Sequence, residues 1–415
     1  MSSGIVVIGS GQAACQLVAS LRQLGYQGEL TVIGEEPHWP YQRPPLSKAA
    51  LQSDTSLEDL LLRPQSFYAT IGCRLLPGRQ VIGLDPTRKA VQLNDGQEIA
   101  YAQLVLATGA RARHWPGLPK GTPSVLTLRT WDDAQALRGC LGQVRHLAII
   151  GAGYIGLEVA ASAAKLGVRV SVFESAPRVM QRSVGPHTSA LVERLHREQG
   201  TQLHLGTQIH AVDVANASVE QGRAAIQLDT SIGDFSADAL VVGIGAEPRV
   251  ELAMQAKLVC GHAIRVDAEC RTSDRNIFAI GDCAEQVQAA GAEPSRLESV
   301  QNATDQAKCV AAVLAGKPLP PLPVPWFWSD QFGHRIQVAG KPASGDDVVL
   351  RSSSGKSHTQ AVWYLRQDRV SAVEAVDAPE DFMAARQLIR SGQPIDRARL
   401  DAPVLDLQGM LQPTR

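Results

Sequence analysis

The chain has 415 residues, 44% of them hydrophobic and 20% charged, with a formal net charge of −1. That length exceeds one ordinary core and implies two or three domains. A near-neutral chain has no general attraction for nucleic acid or an anionic membrane, so any charged partner has to be met by a local patch.

The first pattern in the chain is IVVIGSGQAACQLVASLRQLGYQGELTVIGEE, residues 5–36. An apolar run leads into G-x-G-x-x-A, a helical pattern ends at Leu24-Gly25, and a second apolar run reaches Glu35. The first glycine makes the tight turn out of the strand, the second lets backbone approach a pyrophosphate, and the small third residue lets helix and strand pack closely. The helix N-terminus offers unpaired N–H groups and the positive end of its dipole to the phosphates. The strand pattern begins by Ile5 with no charged segment, apolar stretch and cleavage site ahead of it, and no apolar run approaches a membrane span. The expectation is a cytoplasmic protein.

HWPYQRPPLSK, residues 38–48, is held extended by its prolines and presents Arg43 and Lys48 as fixed cations. Residues 51–70 read as helical. Short alternating runs over 73–101, with the turn Asn94-Asp95-Gly96, read as hairpin strands, and LVLATGAR, 104–111, as a buried strand entering a small-residue turn. The segment 128–139 leads into a helix with Asp132 and Asp133 in its first turn.

The opening pattern then returns as LAIIGAGYIGLEVAASAAKLGVRVSVFES, 147–175, with the same spacing from Gly151 to Gly167 as from Gly9 to Gly25. Two complete copies make a chance strand-to-helix turn a poor explanation. Glu174 ends the second strand of this copy, where a carboxylate accepts a ribose 2′-OH and repels a 2′-phosphate, so NADH is favoured over NADPH. Arg178 and Arg182 follow and are positioned to soften that preference. Residues 186–242 read as a helix and then alternating strands. NIFAIGDC, 276–283, ends in a Gly-Asp turn, 296–316 reads as an amphipathic helix, and 317–325 as a proline-rich linker. From Pro325 strands alternate to about 376, and a helix follows.

The seven cysteines, at 15, 73, 140, 260, 270, 283 and 309, are scattered and never in C-x-x-C spacing. That pattern speaks against zinc and iron–sulfur sites and against a closely spaced redox pair, so no metal is expected and the thiols read as single and reduced.

Taken together, G-x-G-x-x-A, R-P-P-L-S-K, A-T-G, G-x-G-Y-I-G-L-E-V-A-A, G-D, R-x-E-S-V-x-N-A and P-W-F-W-S-D closely resemble the putidaredoxin reductase and biphenyl-dioxygenase reductase group, the NADH–ferredoxin reductases of multicomponent oxygenases. The resemblance covers nearly the whole chain. It implies an α/β protein with two Rossmann-type domains: an FAD-binding domain from 1–114 and 246–320 and an NAD-binding domain from 115–245. A C-terminal α+β domain, 321–415, completes it. It implies electron flow from NADH through FAD to a small 2Fe–2S ferredoxin that supplies a P450 or Rieske-type oxygenase, in a monomer or weak dimer.

By the same resemblance, Gly9, Gly11, Ala13 and Ala14 would form the FAD pyrophosphate turn, and Glu35 would hold the adenosine ribose. Arg43, Lys48, Val81, Thr108, Gly109, Arg129, Asp282, Val300 and Trp328 would line other parts of FAD. Gly151, Gly153, Tyr154, Ile155, Gly156, Glu174 and Arg182 would bind NADH. Lys48 would pair with Glu158 near the flavin, and these two with Trp328 form the candidate catalytic set, whereas Trp326 reads as a core aromatic.

Two other functions stay open. An NADH-dependent peroxide or disulfide reductase would need a redox cysteine, for which Cys15 and Cys73 are the positions to inspect. A non-catalytic NADH-sensing flavoprotein resembling apoptosis-inducing factor would share the Lys–Glu pair. For an acidic ferredoxin, Arg335, Lys341, Arg386, Arg390, Arg397 and Arg399 offer a basic surface.

Overall fold

The computed structural model describes residues 4–215, 225–287, 294–352, 357–401 and Gly409. Parts of the expected regions lie outside the described residues: 216–224 among the strands before 242, 288–293 in the second part of the expected FAD domain, 353–356 among the strands after Pro325, and all beyond Asp401 but Gly409. The chain divides into two compact units: residues 1–42, 55–111 and 246–322 form one, and residues 43–54, 112–245 and 323–415 the other.

The first unit is built on a five-stranded parallel sheet in the order Ile277–Ala279, Gln103–Leu106, Ile5–Ile8, Leu30–Ile33 and Cys73–Leu76. Both faces are covered. Ile5 and Val7 join one apolar cluster while Val6 and Ile8 join another, which is why the strand is a continuous apolar run rather than an alternating one. Helix Gln12–Gln23 buries Ala14, Leu17, Val18 and Leu21 on this sheet and packs beside helix Val300–Leu314. A separate antiparallel sheet, Val81–Asp85, Ala90–Leu93 and Glu98–Ala100, carries the expected turn at 94–96.

The second unit repeats the plan. Its parallel sheet runs Gln202–Leu205, Arg169–Glu174, His146–Ile150, Ala239–Val242 and Val125–Leu126, with helix Tyr154–Lys165 in the crossover. Helix Trp131–Leu141 starts at Thr130, which forms a reciprocal cap with Asp133. In the C-terminal part, five antiparallel strands lie in the order Trp326–Gln331, His334–Gly340, Arg369–Val376, Gln360–Arg366 and Asp347–Ser352. Helix Pro379–Ser391 packs Phe382, Ala385 and Leu388 into the same apolar cluster as Trp363 and Val373, and ends at Gly392 in the left-handed conformation.

Three expectations change. The helix expected over 51–70 is three short turns, Ala49–Gln52, Glu58–Leu60 and Gln65–Thr70, because Ser53 leaves the first in an extended conformation and Pro64 opens the last. Cys73–Leu76 is not a hairpin strand but the edge of the parallel sheet. The helix expected from 296 begins at Val300, where the Ser299 hydroxyl accepts the Asn302 N–H.

Candidate functional site

In the first unit, Gly9 sits at φ +109°, and a Cβ there would lie 2.0 Å from the Ala107 carbonyl oxygen. Only glycine fits this crossing of two strand ends. Gly11 has ordinary dihedrals, and a Cβ on it would meet no atom of the described residues within 4 Å. Among the described residues no side chain caps the helix that starts at Gln12, and its first turn carries no acidic residue. The helix therefore presents its first N–H groups beside an open space, the arrangement a pyrophosphate requires. Ala13 and Ala14 are buried behind this turn. The Gly281–Cys283 turn, which contains Asp282, closes on it: a Cβ on Gly281 would be 3.4 Å from Ala13 Cβ, and the Gly281 N–H donates to Gln306 Oε1 at 2.7 Å.

Thr108 donates its hydroxyl to the Arg249 carbonyl at 2.8 Å, Gly109 takes a positive φ, and Val300 opens its helix. Glu35 is exposed and ion-paired with Arg249. Val81 is buried in the core, where it pairs with Leu93 in the antiparallel sheet.

The second unit holds the second glycine turn. A Cβ on Gly151 would lie 2.5 Å from the Gly243 oxygen, and one on Gly156 would lie 2.1 Å from the Gly151 oxygen, whereas one on Gly153 would meet nothing within 4 Å. Helix Tyr154–Lys165 again has no side-chain cap and no acid in its first turn. Glu174 accepts the Ala152 N–H at 2.8 Å through Oε2 and the Ala176 N–H at 2.9 Å through Oε1, so its carboxylate is fixed at the rim of the turn. Arg178 spends its guanidinium on the carbonyls of Val184 and Gln181, at 2.6 and 3.0 Å. Arg182 and Ile155 are exposed. Tyr154 packs on Phe327, ring centroids 4.3 Å apart, and burial raises its hydroxyl pKa.

Arg43, Lys48, Arg129 and Trp328 belong to this unit as well. Arg43 donates to the Arg129 carbonyl at 2.6 Å. Trp328 is half-buried, its ring centroid 5.4 Å from that of Trp326, which in turn packs on the edge of the C-terminal core. Lys48 Nζ reaches Glu158 Oε2 at 2.7 Å and the Pro44 carbonyl at 3.1 Å. Glu158, only 3% exposed, also accepts the Ser47 hydroxyl at 2.5 Å and, through Oε1, the Ser329 hydroxyl at 2.6 Å. Three donors from two segments thus satisfy a carboxylate whose burial would otherwise be prohibitive.

The chain of contacts continues inward. Gln331 Nε2 donates to Ser329 Oγ at 3.0 Å, and its Oε1 faces His196 Nε2 at 2.8 Å, so the imidazole proton sits on Nε2. Burial pushes the His196 pKa down to about 4, and the neutral ring keeps donating to Gln331. Ser47, Ser329, Gln331 and His196 were not among the candidates. A signal existed for two of them: Ser329 and Gln331 are polar residues on the buried alternation of a strand, 0% and 1% exposed.

His196 gives the protein an acid-sensitive element. Its folded pKa of about 4 lies below the usual 6.5, so its stabilisation is complete above pH 6.5 and is lost as pH falls towards 4. The full loss is about 3 kcal/mol, at 1.36 kcal/mol per unit. Denaturation midpoints of wild type and His196→Gln measured from pH 7.5 to 4.5 should show a flatter acid limb in the variant. Parallel limbs would remove His196 from the account.

Three of the six cations expected on the basic surface are ion-paired within the protein. Arg335 pairs with Asp330 at 2.7 Å, Arg397 with Asp347 at 3.0 Å and Arg399 with Asp396 at 3.3 Å, while the Arg386 guanidinium lies 5.2 Å from the Trp326 ring centroid. Lys341 and Arg390 are exposed and make no ion pair among the described residues.

Residues 3–307 match the model of the pyridine nucleotide-disulphide oxidoreductase family, and residues 326–411 match the reductase C-terminal domain. The chain belongs to the pyridine nucleotide-disulphide oxidoreductase family. It is an oxidoreductase of a family that uses FAD and NAD(P)H, and the two open glycine turns fit two dinucleotides. Within this family it is 42% identical to rhodocoxin reductase of Rhodococcus erythropolis over 392 residues, 94% of this chain and 90% of the relative. It is 38% identical to terpredoxin reductase of a Pseudomonas species over 97% of both chains. The reductase in the crystal structure of a covalent putidaredoxin reductase–putidaredoxin complex superposes with a TM-score of 0.90 at 35% identity, covering 98% of this chain and 97% of that one. Among the described residues, no helix is long and apolar enough to cross a membrane, and no group of three or more His, Cys, Asp or Glu is placed to hold a metal.

Proposed function

We propose that this protein passes electrons from NADH through FAD to a 2Fe–2S ferredoxin that supplies a P450 or Rieske-type oxygenase. The observation that carries this reading is the pair of uncapped glycine turns, each with open space over its second glycine, in a chain similar over nearly its full length to rhodocoxin, terpredoxin and putidaredoxin reductases. In this reading residues 1–114 and 246–320 bind FAD, residues 115–245 bind NADH, and residues 321–415 form the C-terminal domain. Bound FAD supplies the step from a two-electron hydride donor to one-electron delivery.

The protein's own residues bind, orient and fix charge. Gly9, Gly11, Ala13 and Ala14 cradle one pyrophosphate, and Gly151, Gly153 and Gly156 the other. Glu174 takes the NADH ribose, its carboxylate already held in place by the Ala152 and Ala176 N–H groups. Glu158 holds the Lys48 ammonium in one position, so that its charge is set before substrate arrives.

The disulfide-reductase alternative receives no support from its cysteines. Cys15 is buried and accepts the Tyr68 hydroxyl at 3.4 Å, and burial raises its pKa. Burial also pushes Cys73 up to about 12, so neither thiol is poised as a nucleophile. The test offers the FAD-loaded protein NADH with oxidised 2Fe–2S ferredoxin, hydrogen peroxide or cystine as acceptor. Ferredoxin is expected to be the fast acceptor, and preference for peroxide or cystine would overturn the reading.

Docking of an acidic ferredoxin then falls to the cations that remain uncompensated. Lys341→Glu/Arg390→Glu should slow ferredoxin reduction roughly tenfold at low salt, an effect that fades as salt screens it, and should leave ferricyanide reduction unchanged. Equal rates with ferredoxin would move the docking surface elsewhere.

A further inference from the structure

Two of the cysteines that are far apart in the sequence meet in the first unit. Cys270 closes a turn in which its N–H donates to the Asp267 carbonyl at 3.0 Å, and its side chain is 1% exposed in the cluster beneath helix Val300–Leu314. Cys309 projects from that helix, half-buried, with Sγ 3.7 Å from the Ala268 carbonyl oxygen of the same turn. The two thiols interact with one another, and both are free.

The two sulfurs differ in access. Cys309 is half-buried on its helix and donates to the Ala268 carbonyl, whereas Cys270 is 1% exposed and its pKa is raised by its contact with Cys309 and by burial. The accessible sulfur is therefore the one an oxidant reaches first, and burial favours the protonated form of Cys270. This division suits one sulfur to meet an oxidant and the other to resolve the product.

We propose that Cys270 and Cys309 form a reversible disulfide, a modification site through which a hydroperoxide acts on this protein. The Cys309 thiolate attacks a peroxide oxygen, the O–O bond breaks, and Cys309 becomes a sulfenic acid as hydroxide leaves. Cys270 then gives up its proton and attacks that sulfur, so that the S–S bond forms, the S–O bond breaks and water departs. Two thiols are oxidised by two electrons and one peroxide is reduced to two waters. The new bond ties the turn at 267–270 to helix Val300–Leu314.

The test uses the full-length, FAD-loaded protein exposed to a small excess of hydrogen peroxide, alkylated, digested without reductant and mapped by mass. The expected product is a peptide pair joined through Cys270 and Cys309, two hydrogens lighter than the reduced pair and released by dithiothreitol. In Cys270→Ala, Cys309 should instead carry added oxygen; in Cys309→Ala, Cys270 should stay unmodified. No crosslink in wild type, a link between other cysteines, or oxidation of Cys270 without Cys309 would each overturn the proposal.

Discussion

Gly153→Val is expected to give a folded, FAD-loaded protein that NADH no longer reduces, with apparent affinity for NADH lower by at least about a hundredfold. The reason is steric and specific to the ligand. A Cβ at Gly153 meets no atom of the described residues within 4 Å, and its dihedrals are ordinary, so the apoprotein accommodates the side chain. The branched group instead fills the space over the helix N-terminus in which a pyrophosphate would sit. Gly11→Val makes the same change in the first unit and should yield a folded protein purified without FAD. Gly9→Ala differs in kind. Its Cβ would press on the Ala107 carbonyl at 2.0 Å from a backbone at φ +109°, which costs several kcal/mol and should lower yield and stability with or without cofactor. Thermal melts, flavin content and NADH titrations separate the three. If Gly153→Val bound NADH normally, the open space would not be a dinucleotide site.

Lys48→Met is expected to lower stability by about 3 kcal/mol, the lower end for stranding one member of a buried ion pair, because the Ser47 and Ser329 hydroxyls stay on the carboxylate. The larger part of that loss is the Glu158 charge left in a site that is 3% exposed. Lys48→Met/Glu158→Gln should therefore recover most of the stability while flavin reduction by NADH stays slow, because the fixed positive charge is absent from both. Denaturant midpoints and anaerobic reduction rates of the two variants give the comparison. A double variant as unstable as the single would mean that Lys48 acts through packing and not through its partner.

The parts of the site that were legible in the sequence are those set by backbone geometry within a few residues. Gly9, Gly11, Gly151 and Gly153 announce themselves because a strand must turn sharply into a helix and leave room above it, and Glu174 because it ends the following strand. The Lys48–Glu158 pair came from resemblance, since nothing local joins a proline-rich loop to the interior of a distant helix. Ser329, Gln331 and His196 lie on a strand and a helix that only the tertiary fold brings together. Cys270 and Cys309 likewise lie on a turn and a helix that only the tertiary fold brings together. Over 51–70 the apolar pattern suggested one helix, but Ser53 and Pro64 decide the backbone there and break it into turns.

The most direct test of the account is an anaerobic double-mixing experiment on the FAD-loaded protein, first with NADH or NADPH and then with an oxidised 2Fe–2S ferredoxin such as putidaredoxin. The account predicts that NADH bleaches the flavin absorbance much faster than NADPH, and that the ferredoxin is then reduced as the flavin colour returns. A flavin that NADH fails to bleach, or that stays bleached when ferredoxin arrives, would contradict it.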